Sequence, residues 1–204
     1  MAATRVVTVF VAAFVLAALL AALAAPGAAL AQSLPRELIF DPGQLKPVDS
    51  TLKVKVGDKA PDFDLPAASG GRVSLGQYLG KKNIVLSFIP AAWTPVCSGQ
   101  WPGYDLAREV FEKHDAVIVG ISCDHPASQH AWVTQMGGLW FPVASDFWPH
   151  GKLAATLGVL RGDGTAERSL FVIDKKGVIR FITVNDINTR PDLGELAKAL
   201  AGLQ

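Results

Sequence analysis

The chain has 204 residues, half of them hydrophobic, and a formal net charge of +1 at pH 7. Because Arg5 is the only charged residue before residue 32, residues 32–204 carry 18 basic and 18 acidic side chains. This balance excludes a polybasic binder of nucleic acid or of a membrane surface. The two cysteines are too few for a disulfide-rich scaffold or a four-thiolate zinc site.

Residues 1–31 have the pattern of an export signal. Arg5 precedes an uncharged run over residues 6–25, and Ala29-Leu30-Ala31 forms the small-x-small pattern that signal peptidase requires. The run is also just long enough to span a bilayer. Residues 1–31 are therefore predicted to be a signal peptide or, if uncleaved, a membrane anchor through residues 6–25. In both cases the rest of the chain is exported, to a periplasm or another extracytoplasmic space.

The next segment, residues 32–52, is predicted to be a flexible tether. It contains Pro35, Pro42, Gly43 and Pro47 and has no hydrophobic periodicity. The compact domain is predicted over residues 53–204.

Within that domain, short apolar runs predict buried strands over residues 84–89, 116–121, 169–173 and 178–182. The residues between the last two runs, 174–177, have the composition of a hairpin turn. Apolar spacing predicts helices over residues 104–113, 128–136 and 192–200. This order of elements predicts an α/β thioredoxin-like fold, with a central mixed β-sheet flanked by helices.

Cys97 is the candidate reactive residue. It follows the predicted strand 84–89 and enters a helix, where free backbone N–H groups and the helix dipole favour a thiolate. Thr94, three residues earlier, can donate its hydroxyl toward the sulfur or a bound oxygen. Pro90 and Pro95 stiffen the loop. The alternative is a small buried structural cysteine, and the residues alone leave both interpretations open.

Four stretches together resemble the peroxiredoxins. Pro90-x-x-x-Thr94-x-x-Cys97 matches the active-site motif of that family, and residues 56–63 look like the start of its domain. Residues 168–174 resemble the strand that carries the family's active-site arginine. Residues 145–151 are similar to the alkyl-hydroperoxide-reductase E and bacterioferritin-comigratory branches. The resemblance covers about residues 53–200.

The resemblance implies a thiol-dependent peroxidase that needs no metal, haem, flavin or other cofactor. Cys97 would be the peroxidatic cysteine that attacks a hydroperoxide, and Thr94 would hydrogen-bond the peroxide and the sulfur. Arg168 would stabilise the thiolate and the leaving oxygen, and Pro90 would shield the sulfur from water. Arg168 has a second interpretation, a surface ion pair with Glu167. No catalytic role is assigned to Gln100, which stands where many relatives have an acid.

Recycling of the oxidised cysteine requires a thiol. Cys123, the only other cysteine, is a possible resolving cysteine because it too follows a predicted parallel strand. We favour an external thiol or a thioredoxin-like protein as reductant, since a Cys97–Cys123 disulfide requires Cα atoms within roughly 7 Å. The expected partners are thus a hydroperoxide and that reductant, and a homodimer with a second copy of the chain is the further expectation.

Three other interpretations remain. An exported thiol–disulfide oxidoreductase is one, although Thr94 stands where a thioredoxin motif has its first cysteine. A metal-binding module using Cys123, His125, His130 and His150 is another, although the spacing matches no structural zinc pattern. The third is a non-catalytic binding protein on a thioredoxin-like fold.

Overall fold

The computed structural model describes residues 34–203, in which a mixed five-stranded sheet forms the centre. The strands, in chain order, are β1 (Asp64–Pro66), β2 (Arg72–Ser74), β3 (Asn83–Phe88), β4 (Ala116–Ser122), β5 (Val143–Ser145), β6 (Ser169–Ile173) and β7 (Ile179–Val184). The central sheet has the order β5-β4-β3-β6-β7, and β1 and β2 form a separate hairpin. Strands β3, β4 and β5 are parallel, whereas β6 and β7 are antiparallel to their neighbours.

Helices cover both faces of this sheet. They are α1 (Cys97–Leu106), α2 (Arg108–Lys113), α3 (Pro126–Gln135), α4 (Lys152–Leu157) and α5 (Leu193–Ala201). Because side chains alternate along a strand, Val85 and Leu86 of β3 point to opposite faces. Val85 lies in a cluster with residues of α1, α2, α3 and α5, and Leu86 lies in a cluster with α4 and the β1–β2 hairpin. This arrangement confirms the predicted thioredoxin-like α/β fold.

The four predicted strands are confirmed, each to within two residues at either end. The hairpin turn ends at Gly177, whose positive φ of 77° suits glycine. The predicted start of the helix over residues 104–113 was wrong. Helix α1 begins earlier, at Cys97, and the backbone breaks at Ala107 before α2 begins. Strands β1, β2 and β5 and helix α4 were not predicted, because elements of three to six residues are too short to show a period.

The described part of the predicted tether, residues 34–52, is bonded to the domain and does not have the form of a free linker. The backbone N–H of Ile187 donates to the carbonyl of Pro47, and the N–H of Phe40 donates to the carbonyl of Trp93. Apart from a 3₁₀ helix over Arg36–Leu38, the segment has no regular structure, but irregular backbone can still bond to distant residues. The prediction of a flexible tether is therefore wrong for these residues.

The predicted signal peptide or anchor, residues 1–31, lies outside the described residues. Within residues 34–203, no helix has both the length and the apolar character needed to cross a membrane.

Candidate active site

Cys97 occupies the start of α1, at the end of the loop that leaves β3. The first helical turn forms around it, since the N–H of Ser98 donates to the carbonyl of Thr94 and the N–H of Gln100 to that of Val96. The side chain of Cys97 is fully buried. Its position places the sulfur near the positive end of the helix dipole, as the sequence predicted.

Arg168 approaches the sulfur from the neighbouring strand. Phe88 at the end of β3 pairs with Ser169 at the start of β6, so Arg168 lies beside the loop that leads to Cys97. Its Nη2 atom donates to Cys97 Sγ over 3.3 Å. A guanidinium at this distance supplies a permanent positive charge and a fixed donor.

The burial of Arg168 is compensated by three acceptors. Besides the sulfur, Nη1 donates to Gln100 Oε1 over 2.6 Å, while Nε and Nη2 both donate to the carbonyl of Ile187, over 3.0 and 2.9 Å. The alternative of a surface ion pair with Glu167 was wrong, because Arg168 is buried and Glu167 pairs with Arg161 over 2.7 Å.

Gln100 is a positioning residue that sequence reasoning missed. While its Oε1 atom accepts from Arg168, its Nε2 atom donates to Ser87 Oγ over 3.3 Å and contacts Tyr104 Oη at 3.5 Å. Burial raises the pKa of Tyr104 to about 12, so this phenol stays neutral. The available signal was the spacing: Gln100 lies three residues after Cys97 and therefore on the same side of α1.

Pro90, Thr94 and Arg168 line a cavity of about 390 Å³. Pro90 is buried. The hydroxyl of Thr94 donates to the carbonyl of Ala91 over 2.9 Å. Since a hydroxyl has one hydrogen, the expected donation from Thr94 to the sulfur is not made in this structure, although the oxygen remains free to accept. The structure thus brings Cys97, Arg168, Pro90 and Thr94 together at one place.

Cys123 lies on the other face of the sheet. It packs against the cluster that contains Leu86, whereas Cys97 belongs to the cluster that contains Val85. Burial, and then the carboxylates of Asp146 and Asp124, raise the pKa of the Cys123 thiol to about 12. Cys97 and Cys123 are both free thiols. Both follow parallel strands, as expected, but the two side chains are separated by the sheet.

The residues of the metal-binding alternative do not converge. His125 Nδ1 accepts from the backbone of Ala127 at the start of α3, and His130 Nδ1 lies 2.9 Å from the carbonyl of Ala68. Among residues 34–203, no three histidine, cysteine or carboxylate side chains are grouped as a metal site would require. The geometry of the described chain thus gives the metal-binding alternative no support.

The fold and this site together define a thiol redox protein: a thioredoxin-like sheet holds one buried cysteine at a helix start, under a buried arginine. Comparison with known proteins narrows the class. A family model described as the AhpC/TSA family matches residues 56–182. Alkyl hydroperoxide reductase E of Mycobacterium tuberculosis is 37% identical over 151 residues, which cover 74% of this chain and 98% of that protein. The chloroplastic 2-Cys peroxiredoxin BAS1 of Hordeum vulgare is 36% identical over 159 residues, covering 73% of this chain and 75% of that protein.

Solved structures agree with the sequence relatives. AhpC of Mycobacterium tuberculosis superposes with a TM-score of 0.68 at 25% identity, covering 74% of this chain and 93% of that one. The reduced 2-Cys peroxiredoxin of Plasmodium vivax gives a TM-score of 0.66 at 26% identity, covering 72% and 80%. The chain therefore belongs to the AhpC/TSA family. Its class is the peroxiredoxins, which are thiol-dependent peroxidases.

Proposed function

We propose that this protein reduces hydroperoxides at Cys97. The Cys97 thiolate attacks the terminal oxygen of ROOH, forming an S–O bond while the O–O bond breaks. The sulfur is oxidised to a sulfenic acid, and the leaving RO⁻ takes up a proton to become ROH. Arg168 stabilises the negative charge that moves from sulfur to the leaving oxygen.

One observation carries this proposal: Arg168 Nη2 lies 3.3 Å from Cys97 Sγ while Arg168 itself lines the cavity. A hydroperoxide that enters the cavity therefore meets the donor that is already bonded to the nucleophile. Pro90 and Thr94 line the same cavity, Pro90 as an apolar wall and Thr94 with an oxygen that can accept a hydrogen bond from the peroxide.

The oxidised enzyme is recycled by an external thiol or a thioredoxin-like protein. A thiol R′SH attacks the Cys97 sulfenic acid, giving a mixed disulfide and water. A second thiol then releases reduced Cys97 and a disulfide, so two thiols supply the two electrons. Because Cys97 is fully buried, the first turn of α1 must open to admit a protein reductant. Cys123 is separated from Cys97 by the sheet and keeps its proton at neutral pH, which favours an external partner.

Stopped-flow tryptophan fluorescence tests the peroxidase step. Trp101 of α1 packs on Trp132 with 5.2 Å between ring centroids, and both rings lie in the same cluster as Cys97. The reduced chain is mixed with substoichiometric hydrogen peroxide, with Cys97→Ser as the control. We expect a fast stoichiometric change that is absent from the control. A signal no faster than that of a free thiol, or one retained by Cys97→Ser, contradicts the proposal.

Mass spectrometry tests the recycling step. After peroxide treatment, we expect Cys97 to be trapped as a sulfenic acid by dimedone and as a mixed disulfide by an added small thiol. A quantitative disulfide between Cys97 and Cys123 would refute external resolution.

Export is proposed from the sequence alone. Arg5, the apolar run over residues 6–25 and Ala29-Leu30-Ala31 support a signal peptide or an anchor that places the domain outside the cytoplasm. Sequencing the amino terminus of the protein recovered from the exported fraction distinguishes the two: cleavage gives a chain that starts at Gln32, and an anchor leaves the chain in the membrane fraction. Recovery from the cytoplasm contradicts both.

A homodimer is also proposed. Phe147 and Trp148 are exposed next to each other, and an exposed aromatic pair is typical of an interface. Light scattering of the purified protein should give twice the monomer mass, and Trp148→Ser should lower it. A monomer mass over the working concentration range contradicts the proposal.

A further inference from the structure

A second cavity lies at the opposite end of the central sheet from Cys97. Its volume of about 760 Å³ is within the range of small-molecule sites, roughly 300–1,000 Å³. Asn83, the first residue of β3, lines this cavity, whereas Cys97 lies beyond the other end of β3. At a rise of about 3.3 Å per residue, the length of β3 separates the two sites by roughly 17 Å. The second cavity therefore takes no direct part in the chemistry at Cys97.

The lining of this second cavity is rich in positive charge, and we call it the basic cavity. Apart from a histidine, its charged side chains are five cations and two carboxylates: Lys113, Lys175, Lys176, Arg180, Lys198, Asp115 and Asp174. Residues 32–204 as a whole carry equal numbers of basic and acidic side chains. The surplus of three positive charges at one concave place is thus produced by the fold.

Both carboxylates of the basic cavity are already neutralised by neighbouring cations. Asp115 lies 2.5 Å from Lys175 Nζ and 2.6 Å from Lys82 Nζ. Hydrogen bonds from these two ammonium groups lower the pKa of Asp115 to about 2. Asp174 pairs with Arg180 over 2.7 Å. Neither carboxylate is therefore available to the remaining lysines.

Three lysines of the basic cavity have no carboxylate partner. Among residues 34–203, no carboxylate forms an ion pair with Lys113, Lys176 or Lys198. Lys113 and Lys198 lie in the last turns of α2 and α5, where the helix dipole favours a cation. Lys176 lies in the turn between β6 and β7 and has no such reason. What the three share is the cavity on which they converge.

The basic cavity also has an apolar floor. Phe181, Ala199 and Leu203 line it, and all three are partly buried against the core cluster that contains Val85. Asn83 is buried, and its Nδ2 atom donates to the carbonyl of His114 over 3.0 Å. The three unpaired lysines, in contrast, are exposed. A ligand would therefore rest on a surface fixed by core packing and meet ammonium groups around the rim.

These features fit a small ligand with several phosphate groups. A lysine ammonium is a compact point charge that binds phosphate oxygens without a fixed geometry. Three ammonium groups from three segments match linked phosphates better than a single carboxylate, which lacks the charge to pair with all of them. Lipid headgroups carry the same phosphate chemistry, but a membrane surface does not enter a concave site of this size.

We propose that the basic cavity binds a small ligand carrying two or more phosphate groups, through Lys113, Lys176 and Lys198. Binding is non-covalent, and the bound anion relieves the mutual repulsion of the three ammonium groups. This inference goes beyond the proposed function and does not depend on it, because no step at Cys97 is involved.

Calorimetric titration of the full chain with inorganic tripolyphosphate tests the proposal. At an ionic strength of about 0.1 M, exposed charges act only over about 10 Å. We expect one saturable site per chain, with an affinity for tripolyphosphate at least about threefold higher than for orthophosphate, which reaches fewer lysines. The affinity should fall when the salt is raised to about 0.5 M.

Removal of the three charges should weaken binding. Lys113→Gln, Lys176→Gln and Lys198→Gln combined should lower the affinity for tripolyphosphate by at least about threefold, since each exposed ion pair contributes a factor of about 1.5 to 5. Acetylation of the parent chain locates the site without any substitution. Tripolyphosphate should protect these three lysines from acetic anhydride and leave the labelling of Lys152 unchanged.

The matched control removes three charges elsewhere. Lys53→Gln, Lys55→Gln and Lys152→Gln combined change the net charge equally, at exposed lysines outside the cavity lining. The affinity of this control should stay within about twofold of the parent value, because distant exposed charges are screened. Both triple variants should keep the parent rate of Cys97 oxidation by hydrogen peroxide, which also shows that they are folded.

Three results would overturn the proposal. The first is a parent chain without saturable binding of tripolyphosphate, and the second is an equal loss of affinity in the two triple variants, which would show an effect of net charge alone. The third is binding to phosphatidylglycerol vesicles without binding of tripolyphosphate, which would indicate a membrane surface as the partner. A chain that binds tripolyphosphate but reacts with hydrogen peroxide no faster than a free thiol refutes the proposed function and leaves the basic cavity supported.

Discussion

Replacement of Arg168 by methionine removes the donor that contacts the sulfur. The variant loses the 3.3 Å contact with Cys97 Sγ and the bonds to Gln100 and Ile187. Loss of one fixed donor to a developing charge lowers a rate by about 10²–10³. We therefore expect the second-order rate constant for Cys97 oxidation by hydrogen peroxide to fall by roughly that factor.

The same variant has a stability cost, which the assay must separate from the chemistry. Gln100 Oε1 and the Ile187 carbonyl lose their bonds to Arg168, and an unsatisfied buried acceptor costs about 1–3 kcal/mol. The free energy of unfolding should therefore fall by about 2–6 kcal/mol. Near-ultraviolet circular dichroism and a urea titration show whether the variant is folded at the assay temperature.

Two further variants test whether the guanidinium group itself is required. Arg168→Lys keeps the charge but lacks the planar fork of donors, so we expect a loss of about tenfold or more. Gln100→Met keeps Arg168 but removes its 2.6 Å acceptor, and the rate should fall less than in Arg168→Met. If folded Arg168→Met is oxidised within about threefold of the parent rate, the assigned role of Arg168 is wrong.

Three further predictions concern other parts of the fold. The Cys123 thiol ionises in the unfolded chain near its ordinary pKa of 9.0 but in the native protein only near 12, so raising the pH through this window favours unfolding. The urea midpoint should therefore fall less steeply with pH in Cys123→Ser than in the parent chain, and equal slopes of midpoint against pH would contradict the raised pKa. Gly120→Ala should lower the free energy of unfolding by about 1–3 kcal/mol, because the Cβ atom of the new alanine would lie 2.8 Å from the buried Trp101 ring. A urea midpoint equal to that of the parent chain would contradict this expectation and show that the ring can move. Glu167→Gln should destabilise the protein by about 3–5 kcal/mol, since the buried Arg161 loses its 2.7 Å carboxylate partner and keeps only the 3.7 Å contact with the exposed Asp163. Limited proteolysis should then cut faster within residues 40–49, and an unchanged cleavage rate there would contradict the attachment of this segment through Glu167.

The sequence predicted the parts of the fold that have a long local pattern. The apolar runs that became β3, β4 and β6 each fill a strand whose residues are almost all buried, whereas β7 is mostly half-buried. Such runs can be recognised in the sequence without knowing which strand pairs with them. The thioredoxin-like order followed from them. Strand β5 and helix α4 have three and six residues. Their burial depends on tertiary contacts that a hydrophobic pattern in so short a segment does not show.

The candidate site was predicted only in part. Cys97 was singled out by its position between a strand and a helix and by a family resemblance, whereas Arg168 came from the resemblance alone. The pairing of β3 with β6 explains why these two residues, so far apart in sequence, meet. Gln100 was left without a role because it stands where many relatives have an acid. Its importance depends on burial beside Arg168, which is a tertiary property.

The largest error, the tether, has a physical reason that also bears on function. Proline and glycine limit the regular structure of residues 35–47 to the short 3₁₀ helix Arg36–Leu38, but the rest of the backbone still needs hydrogen-bond partners. Those partners are Asn188, Arg161 and Glu167, which lie more than a hundred residues away in sequence. Two of these three side chains, Arg161 and Glu167, form a buried ion pair, and Glu167 immediately precedes Arg168.

The residues that hold the wall of the active-site cavity thus lie next to Arg168, whose guanidinium donates to the Cys97 sulfur. Arg168 follows Glu167 directly and bonds the carbonyl of Ile187, while Asn188, the next residue, bonds Leu45, which lines the cavity. A movement that frees Leu45 must therefore break bonds to the residue next to Ile187, one of the acceptors of Arg168. Arg168 lines the cavity, whereas the Cys97 side chain is fully buried, so a protein reductant reaches the sulfur only if the site opens.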